Sequence, residues 1–261
     1  MKNEEVRVKN LLDEKRVKNL MEETIREKAL KRLRNSLSKR FRKATTDYHL
    51  LEDGDKIMVG LSGGKDSLLL LELLGQQARI FKPAIKIEAC HIRMENVKYE
   101  TDTNYLQSFC DEWQVPLHII TTKFDDSIET NKPKCFLCSW YRRKALFKIA
   151  QEHNCNKIAL GHHQDDIIDT CMMNLFYQGR FETTPPLYKM DKMALSLIRP
   201  LCLMREDDIR AYAEMAEYEK QVKLCPYESS SQRHTMNNVF KEIEAINPEA
   251  RYSIWKAMMK K

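Results

Sequence analysis

The segment MVGLSGGKDSLLL, residues 58 to 70, decides the fold of this chain. An apolar run typical of a buried strand ends in a short glycine turn, and an apolar, helix-forming run follows. Such a turn presents several backbone N–H groups at a helix N-terminus, and glycine lets an anion approach without a Cβ in the way. The segment therefore predicts a phosphate-binding loop. Its candidate ligands are Ser62, Gly63, Gly64, Lys65, Asp66 and Ser67.

This loop is not a Walker A motif, whose spacing G-x-x-x-x-G-K-[ST] needs a glycine five residues before Gly64. The residue at that position is Val59. A plain tight turn with a surface lysine is the simplest alternative, but it does not account for the strand before the turn and the helix after it.

Length and composition fit one folded domain. The chain has 261 residues, 43% of them hydrophobic, which is enough for an α/β domain with helical additions. The sequence holds no apolar stretch near the roughly 20 residues that span a bilayer, and its N-terminus is charged, so we expect a cytoplasmic protein without membrane contact. Its eight cysteines are then expected to be thiols, metal ligands or catalytic groups.

Positive charge is concentrated near the N-terminus. Residues 1–50 carry 15 Lys or Arg against 8 Asp or Glu, although the whole chain has a net charge of only +6. Within this arm, KRLRNSLSKRFRK places Leu33, Leu37 and Phe41 on one helical face. Such a helix either docks through its apolar face or contacts the phosphates of a nucleic acid. A membrane-surface helix is a weaker interpretation.

The middle of the chain alternates between two patterns. Strand patterns cover residues 56–61, 85–92, 116–121, 157–161 and 195–201, and helical patterns cover 66–78, 101–113, 138–153, 164–178 and 205–217. This order predicts an α/β fold with a parallel sheet, in which ligands bind at the carboxyl ends of the strands. We expect three parts, namely a basic helical arm (1–50), the phosphate-binding domain (51–225) and a C-terminal helical segment (226–261).

A C-x-x-C motif follows the third predicted strand. It places Cys135 and Cys138 at the entrance to a helix, where the helix N-terminus, Arg142 and Arg143 favour thiolates. With the distant Cys225 they give three thiolates, enough to hold a [4Fe-4S] cluster with one iron left open. Zinc would need a fourth ligand. A disulfide or persulfide pair, or inert packing, remain alternatives for this motif.

A third motif, ALGHHQDDIIDT, leads from the fourth strand into a helix. Asp165, Asp166 and Asp169 lie near the start of that helix, where the helix dipole favours carboxylates. We expect His162 and Asp165 to reach the same sheet edge as the loop and the C-x-x-C, so that three polar motifs converge.

These motifs together resemble those of the PP-loop (N-type ATP pyrophosphatase) enzymes, and within them the tRNA 2-thiocytidine synthetases. The resemblance rests on SGGKDS, CFLCSWYRRKALF, ALGHHQDDIIDT, IRPL and Cys225, over about residues 50–235. Members often have a second cysteine after the one that matches Cys225, where this chain has Pro226, Tyr227 and Glu228. The related 2-thiouridine-54 enzymes add zinc-finger cysteines, and lysidine synthetases lack the C-x-x-C.

The resemblance implies a reaction in which ATP, with Mg²⁺, adenylates the C2 oxygen of cytidine 32 in a tRNA, and a [4Fe-4S] cluster delivers sulfur. The implied catalytic residues are Lys65, Asp66, Arg142 and Asp165. The implied nucleotide contacts beyond the loop are His91, Ile92, Gly161 and His162. The implied cluster ligands are Cys135, Cys138 and Cys225. Expected partners are tRNA and a sulfur donor, either a cysteine desulfurase or sulfide, and a homodimer is left open.

Two other classes of function are compatible with part of the sequence. A PP-loop synthetase or amidotransferase acting on a small metabolite would need neither the basic arm nor three thiols. A non-catalytic nucleotide or iron–sulfur sensor would keep the loop without needing all of these groups together.

Overall fold

The computed structural model describes residues 2–80, 82–95, 101–123, 134–220 and 232–259, without the side chains of residues 2–20 and 232–234. Its helices are α1 (Lys2–Asp47), α2 (Lys65–Ala78), α3 (Thr103–Glu112), α4 (Lys134–Glu152), α5 (Gln164–Gln178), α6 (Glu206–Met215), α7 (Gln232–Ile246) and α8 (Ala250–Met258). Its strands are β1 (Lys56–Gly60), β2 (Lys86–Met94), β3 (Leu117–Thr122), β4 (Lys157–Ala159), β5 (Leu187–Lys189) and β6 (Ser196–Ile198).

The strands form one sheet in the order β3-β2-β1-β4-β6-β5. All neighbouring pairs are parallel except β5 and β6, which are antiparallel. The predicted α/β fold with a parallel sheet is therefore confirmed. The chain moves outward from β1 through β2 to β3 and then returns to the other side of β1 as β4, so the strand order reverses between β1 and β4. Ligands bind at such a reversal, beyond the carboxyl ends of the strands.

The five predicted strands are all present, but the sequence did not indicate β5. This strand has only three residues and lies at the sheet edge, with two of them exposed. A strand this short shows no usable alternation of apolar and polar residues, and its pairing with β6 is decided by the tertiary structure. Helix α4 begins by residue 134, before the predicted start at 138, so both C-x-x-C cysteines lie inside it.

The core forms around β1 and α2, which flank the loop. Ile57, Met58 and Val59 are fully buried in β1, and a run of buried leucines in α2 packs on the sheet. This burial of aliphatic side chains on both sides fixes the loop between two rigid elements. A loop held in this way keeps its backbone N–H groups oriented.

The part of the basic arm from about Leu30 onward is docked against the domain. Leu37 and Phe41 are buried in the same core as the sheet, which favours the docking interpretation for this face of α1. Arg34 donates to the hydroxyl of Tyr212 at 3.0 Å, and Arg40 pairs with Asp208. Other basic residues of α1 face solvent, namely Lys31, Arg32, Lys39 and Arg42.

The C-terminal helices α7 and α8 pack against α5, with the buried Phe240 and Met258 in one cluster. The predicted boundary at 225/226 falls outside the described residues. None of the described helices combines the length and apolar character that a membrane crossing requires.

Candidate active site

The phosphate-binding loop is organised by one buried hydroxyl. Ser67 Oγ accepts from the backbone N–H groups of Ser62 and Gly63, both at 3.1 Å, and donates to the carbonyl of Gly64 at 2.9 Å. Ser67 is only 4% exposed. Its hydroxyl therefore holds the turn in shape before any ligand arrives, and the helix N-terminus behind the turn favours an anion.

At two positions of the site, the backbone conformation or the close packing requires glycine. Gly63 has φ +85°, a left-handed conformation that costs side-chain-bearing residues energy. Gly161 follows β4, and a Cβ there would lie 3.1–3.2 Å from backbone atoms of Asp66 and Ser67. The absence of a side chain at Gly161 thus lets the end of β4 pack against the start of α2. Its predicted contact with the nucleotide remains a prediction.

Lys65 and Asp66 lie at the start of α2 beside a third charged group. The ammonium of Lys65 is 3.1 Å from Asp66 Oδ2 and 3.2 Å from Glu206 Oε1. Burial lowers the pKa of Lys65, but the two carboxylates outweigh it and leave the pKa raised, so the lysine is a cation. The other oxygen, Asp66 Oδ1, is buried without a hydrogen-bond partner among the described residues. His163 Nε2 is 3.9 Å from Oδ1, beyond hydrogen-bond distance, and a carboxylate oxygen in this position beside a phosphate loop suits a magnesium ion.

A cavity of about 450 Å³ opens at the carboxyl ends of β1, β2 and β4. It has the size and the largely apolar lining of a small-molecule site. Seven of the predicted site residues line it, namely Ser62, His91, Ile92, Cys135, Cys138, Arg142 and His162. The structure therefore brings Ser62 of the loop, the C-x-x-C cysteines and His162 together at one edge of the sheet, as predicted.

His91 offers this cavity a defined hydrogen-bond acceptor. Its Nδ1 is 2.8 Å from the carbonyl oxygen of Leu61, and since a carbonyl only accepts, Nδ1 carries the proton. Burial lowers the pKa of His91, so the ring is neutral and Nε2 has a free lone pair. Nε2 is buried with no hydrogen-bond partner in the described part of the chain. It can accept from a ligand N–H group.

The two C-x-x-C cysteines lie on one side of α4, three residues apart, and both line the cavity. Cys135 is exposed and Cys138 is half-buried. By contrast, Cys90, Cys110, Cys155, Cys171 and Cys202 are buried, as expected for core residues. Two accessible thiols at one wall fit two ligands of an iron–sulfur cluster. The third predicted ligand, Cys225, lies outside the described residues.

Asp165 lies away from the cavity wall and is fully engaged. Its Oδ2 accepts from the backbone N–H of Glu206 at 2.7 Å, and its Oδ1 pairs with Arg251 at 2.8 Å. Asp166 forms a capping box with His163 at the start of α5. The predicted acid–base role of Asp165 stays a prediction, and its contacts tie α5 to α6 and α8.

The sequence did not point to Glu206 or Arg251. Both belong to elements far along the chain from the motifs, and each acts through a contact with a motif residue. The only local signal for Glu206 is the acidic first turn of α6, a feature that many helices share.

Comparison with known proteins gives a consistent assignment. The profile of the PP-loop domain family matches residues 30–222. The tRNA-cytidine(32) 2-sulfurtransferase of Pseudomonas putida (strain GB-1) is 35% identical over 233 residues, which are 86% of this chain and 84% of that protein. The enzyme of the same name from Shewanella sp. (strain ANA-3) is 34% identical over 248 residues, with coverage of 91% and 79%.

A solved structure supports the same assignment. The U34-tRNA thiolase NcsA from Methanococcus maripaludis, determined with its [4Fe-4S] cluster, matches with a TM-score of 0.71 and 28% identity. The match covers 87% of this chain and 77% of the thiolase.

Proposed function

We propose that this chain, which belongs to the PP-loop family and within it to the tRNA thiolases, replaces the C2 oxygen of cytidine 32 in tRNA by sulfur at the expense of ATP. One observation carries the proposal. The thiols of Cys135 and Cys138 share a cavity wall with Ser62 of the phosphate loop. Activation of an oxygen by a phosphate and its replacement by sulfur can therefore occur at one cavity.

The loop residues handle the nucleotide. The chemistry of this class is attack of the C2 oxygen on the α-phosphate of ATP with release of pyrophosphate, followed by displacement of AMP by sulfur. Lys65 neutralises negative charge that develops on the phosphate, and Asp66 Oδ1 is the carboxylate oxygen placed for a magnesium ion. Glu206 holds the Lys65 ammonium at the loop.

The thiol residues handle the sulfur. We assign Cys135, Cys138 and Cys225 as the cluster ligands, of which the first two line the cavity. When bound, a [4Fe-4S] cluster with three thiolate ligands supplies an iron that can carry the sulfur to be transferred. Arg142 lines the same wall, where its guanidinium can neutralise a phosphate or the activated base.

Two exposed aromatic side chains of α4, which do not line the cavity, suit splayed bases of the tRNA loop. Phe136 and Trp140, on the same helix as the cysteines, are 43% and 46% exposed. Exposed aromatic rings beside cationic residues are typical of proteins that bind single-stranded RNA loops, because splayed bases stack on them. Lys144 lies over the Trp140 ring at 5.3 Å. The target base must leave its stack, which costs a few kcal/mol.

The remaining partners follow from the same reaction. We propose that the sulfur comes from a cysteine desulfurase or from sulfide, and that the enzyme works in the cytoplasm. Lys31, Arg32, Lys39 and Arg42 on the exposed side of α1 are proposed contacts to the tRNA backbone.

The test is nucleoside mass spectrometry of tRNA from a strain that lacks this chain. The expected result is loss of 2-thiocytidine, restored by the wild-type chain and not by Lys65→Ala. If 2-thiouridine disappears and 2-thiocytidine stays, the base assignment is wrong and the thiolase assignment stands. If no thiolated nucleoside changes, the proposed function is wrong.

A further inference from the structure

A second polar cluster lies at the opposite edge of the sheet. It joins Glu88 of β2, His118 of β3 and His153, which directly follows α4, and its carboxylate and imidazole ligand atoms lie within 4.8 Å of one another. None of these three residues lines the cavity, and along β2 Glu88 precedes the nearest cavity residue, Cys90, by two positions, about 7 Å in a strand. The cluster is thus separate from the thiolation site.

The three side chains converge on a single oxygen. His118 Nε2 and His153 Nδ1 are each 2.7 Å from Glu88 Oε2. The other carboxylate oxygen, Oε1, is taken by the ammonium of Lys56 at 2.7 Å. The two imidazole rings are close, with centroids 4.1 Å apart. One carboxylate oxygen and two ring nitrogens are therefore presented together, and the second oxygen is held aside.

We propose that this triad is a zinc site of the open type, with Glu88, His118 and His153 as its three protein ligands and water in the fourth position. Zinc is bound tetrahedrally by imidazole nitrogen at about 2.0–2.1 Å and by carboxylate oxygen at about 2.0–2.2 Å. Donors in such a tetrahedron lie roughly 3.3 Å apart, so the present nitrogen–oxygen separations need to widen by about 0.6 Å.

The number of protons on the cluster stays the same when zinc binds. The ring nitrogens that face Glu88 donate to its carboxylate in this structure, so on metal binding each neutral imidazole moves its one proton to the other ring nitrogen by exchange with solvent and gives the metal the freed lone pair. The side chains of His118 and His153 are 25% and 31% exposed, so solvent and ions reach them. The bond from Lys56 to Oε1 is the kind of outer contact that orients a ligating carboxylate.

The position of the site suggests what the metal does. His153 follows the last turn of α4, and the other two ligands belong to β2 and β3. A bound zinc ion would fasten the end of α4 to the sheet. The first two described turns of the same helix carry Cys135 and Cys138, so a metal at one end of α4 fixes the helix that presents the thiols near the other.

The experiment uses iron-loaded protein, because open cysteines also bind zinc. Four proteins are equilibrated with Zn²⁺, desalted to remove unbound metal and analysed for zinc and iron content. They are the wild type, His118→Ala, His153→Ala and Glu88→Gln. We expect about one zinc per chain in wild type and a weakening of zinc affinity by about 100-fold or more in each variant, since loss of even an outer contact costs 10–100-fold. The control is His49→Asn, which removes an exposed histidine outside the cluster.

Two readouts separate a metal site from a hydrogen-bond network. Zinc should raise Tm in wild type and in His49→Asn but not in Glu88→Gln, which keeps the size of the side chain. Cobalt in place of zinc should give no thiolate charge-transfer band. Unchanged iron content in the variants shows that they are folded. Equal zinc binding in wild type and all three variants, no zinc in wild type, or a cobalt–thiolate band would each overturn the proposal.

Discussion

The hydrogen bonding of buried polar groups differs between the two edges of the sheet. At the carboxyl edge, His91 Nε2 and Asp66 Oδ1 are buried without hydrogen-bond partners among the described residues. At the amino edge, the buried Lys157 donates to Asp55 at 2.7 Å and to the carbonyl of Leu50 at 3.1 Å. Asp55 in turn accepts from Asn156 at 2.7 Å.

This difference distinguishes polar residues that serve ligand binding from polar residues that stabilise the fold. A buried polar atom without a partner costs about 1–3 kcal/mol, so its presence at the carboxyl edge indicates a place where a ligand completes the bonding. The polar groups of Lys157, Asp55 and Asn156 at the amino edge are already satisfied by one another and by the backbone. Substitutions at the carboxyl edge should therefore change activity, and those at the amino edge should change stability.

The largest expected effect is at the cysteines of the cavity wall. Cys135→Ala or Cys138→Ala should purify with almost no iron and no thiolation activity, because two thiolates do not retain a four-iron cluster. Iron analysis and a tRNA thiolation assay measure this, and Cys225→Ala should behave alike. Cys155→Ala and Cys202→Ala are controls, since burial raises the pKa of these thiols to about 11 and about 12. Full activity in iron-free wild type would instead favour persulfide transfer.

At the loop, Lys65→Ala should lower kcat/KM for thiolation by roughly 10²–10³-fold, because a charge that stabilises the phosphate transition state is lost. The iron content should not change, since the loop holds no cluster ligand. Lys86→Ala removes an exposed lysine at the amino edge and is the matched control. Normal turnover of Lys65→Ala would show that the loop is only structural.

At the amino edge, Lys157→Met should reduce the free energy of unfolding by about 3–5 kcal/mol, because Asp55, 2% exposed, loses its cation. Denaturant unfolding measures the change, and kcat of the folded enzyme should stay as in wild type. Lys148→Met breaks an exposed pair with Glu152 and should cost less than about 1 kcal/mol. Similar losses in both variants would remove the distinction between buried and exposed pairs.

Acid should weaken the amino edge through Glu88. Burial alone would raise the pKa of this carboxyl, but Lys56, His118 and His153 lower it from 4.5 to about 2. A depressed carboxyl pKa stabilises the fold above pH 4.5, and this contribution, about 3 kcal/mol, is lost as pH falls toward 2.

The measurement is the difference in free energy of unfolding between wild type and Glu88→Gln in chelator, because contributions that both share cancel. The difference should shrink as pH falls from 4.5 toward 2. A difference that does not depend on pH would contradict the assigned carboxylate network.

The smallest expected effect concerns α1. Replacing Lys31, Arg32, Lys39 and Arg42 by Gln should leave stability unchanged, since these side chains are exposed. The slope of log tRNA affinity against log salt should fall by at most about 3, at roughly 0.7 for each lost phosphate contact. An unchanged slope would mean that α1 serves packing alone, through Leu37 and Phe41.

The sequence by itself determined the sheet, the phosphate loop, the thiol pair and the family, because each depends on residues that are neighbours along the chain. Strand and helix periodicity, the glycine turn before Lys65 and the C-x-x-C are all local patterns. The edge strand β5 was missed because three residues carry too little pattern. The place of the loop beside Cys135 and Cys138 could be expected, since parallel strands end at a common edge.

Only the tertiary structure decided which polar groups pair with one another. Asp165 is the clearest case, because its local pattern fits a site carboxylate while both oxygens are bonded to α6 and α8. The same holds for Glu206 beside Lys65 and for Glu88 between two histidines. These partners are separated along the chain by 30 residues or more, so their contacts depend on how the helices pack against the sheet, which local sequence patterns do not encode.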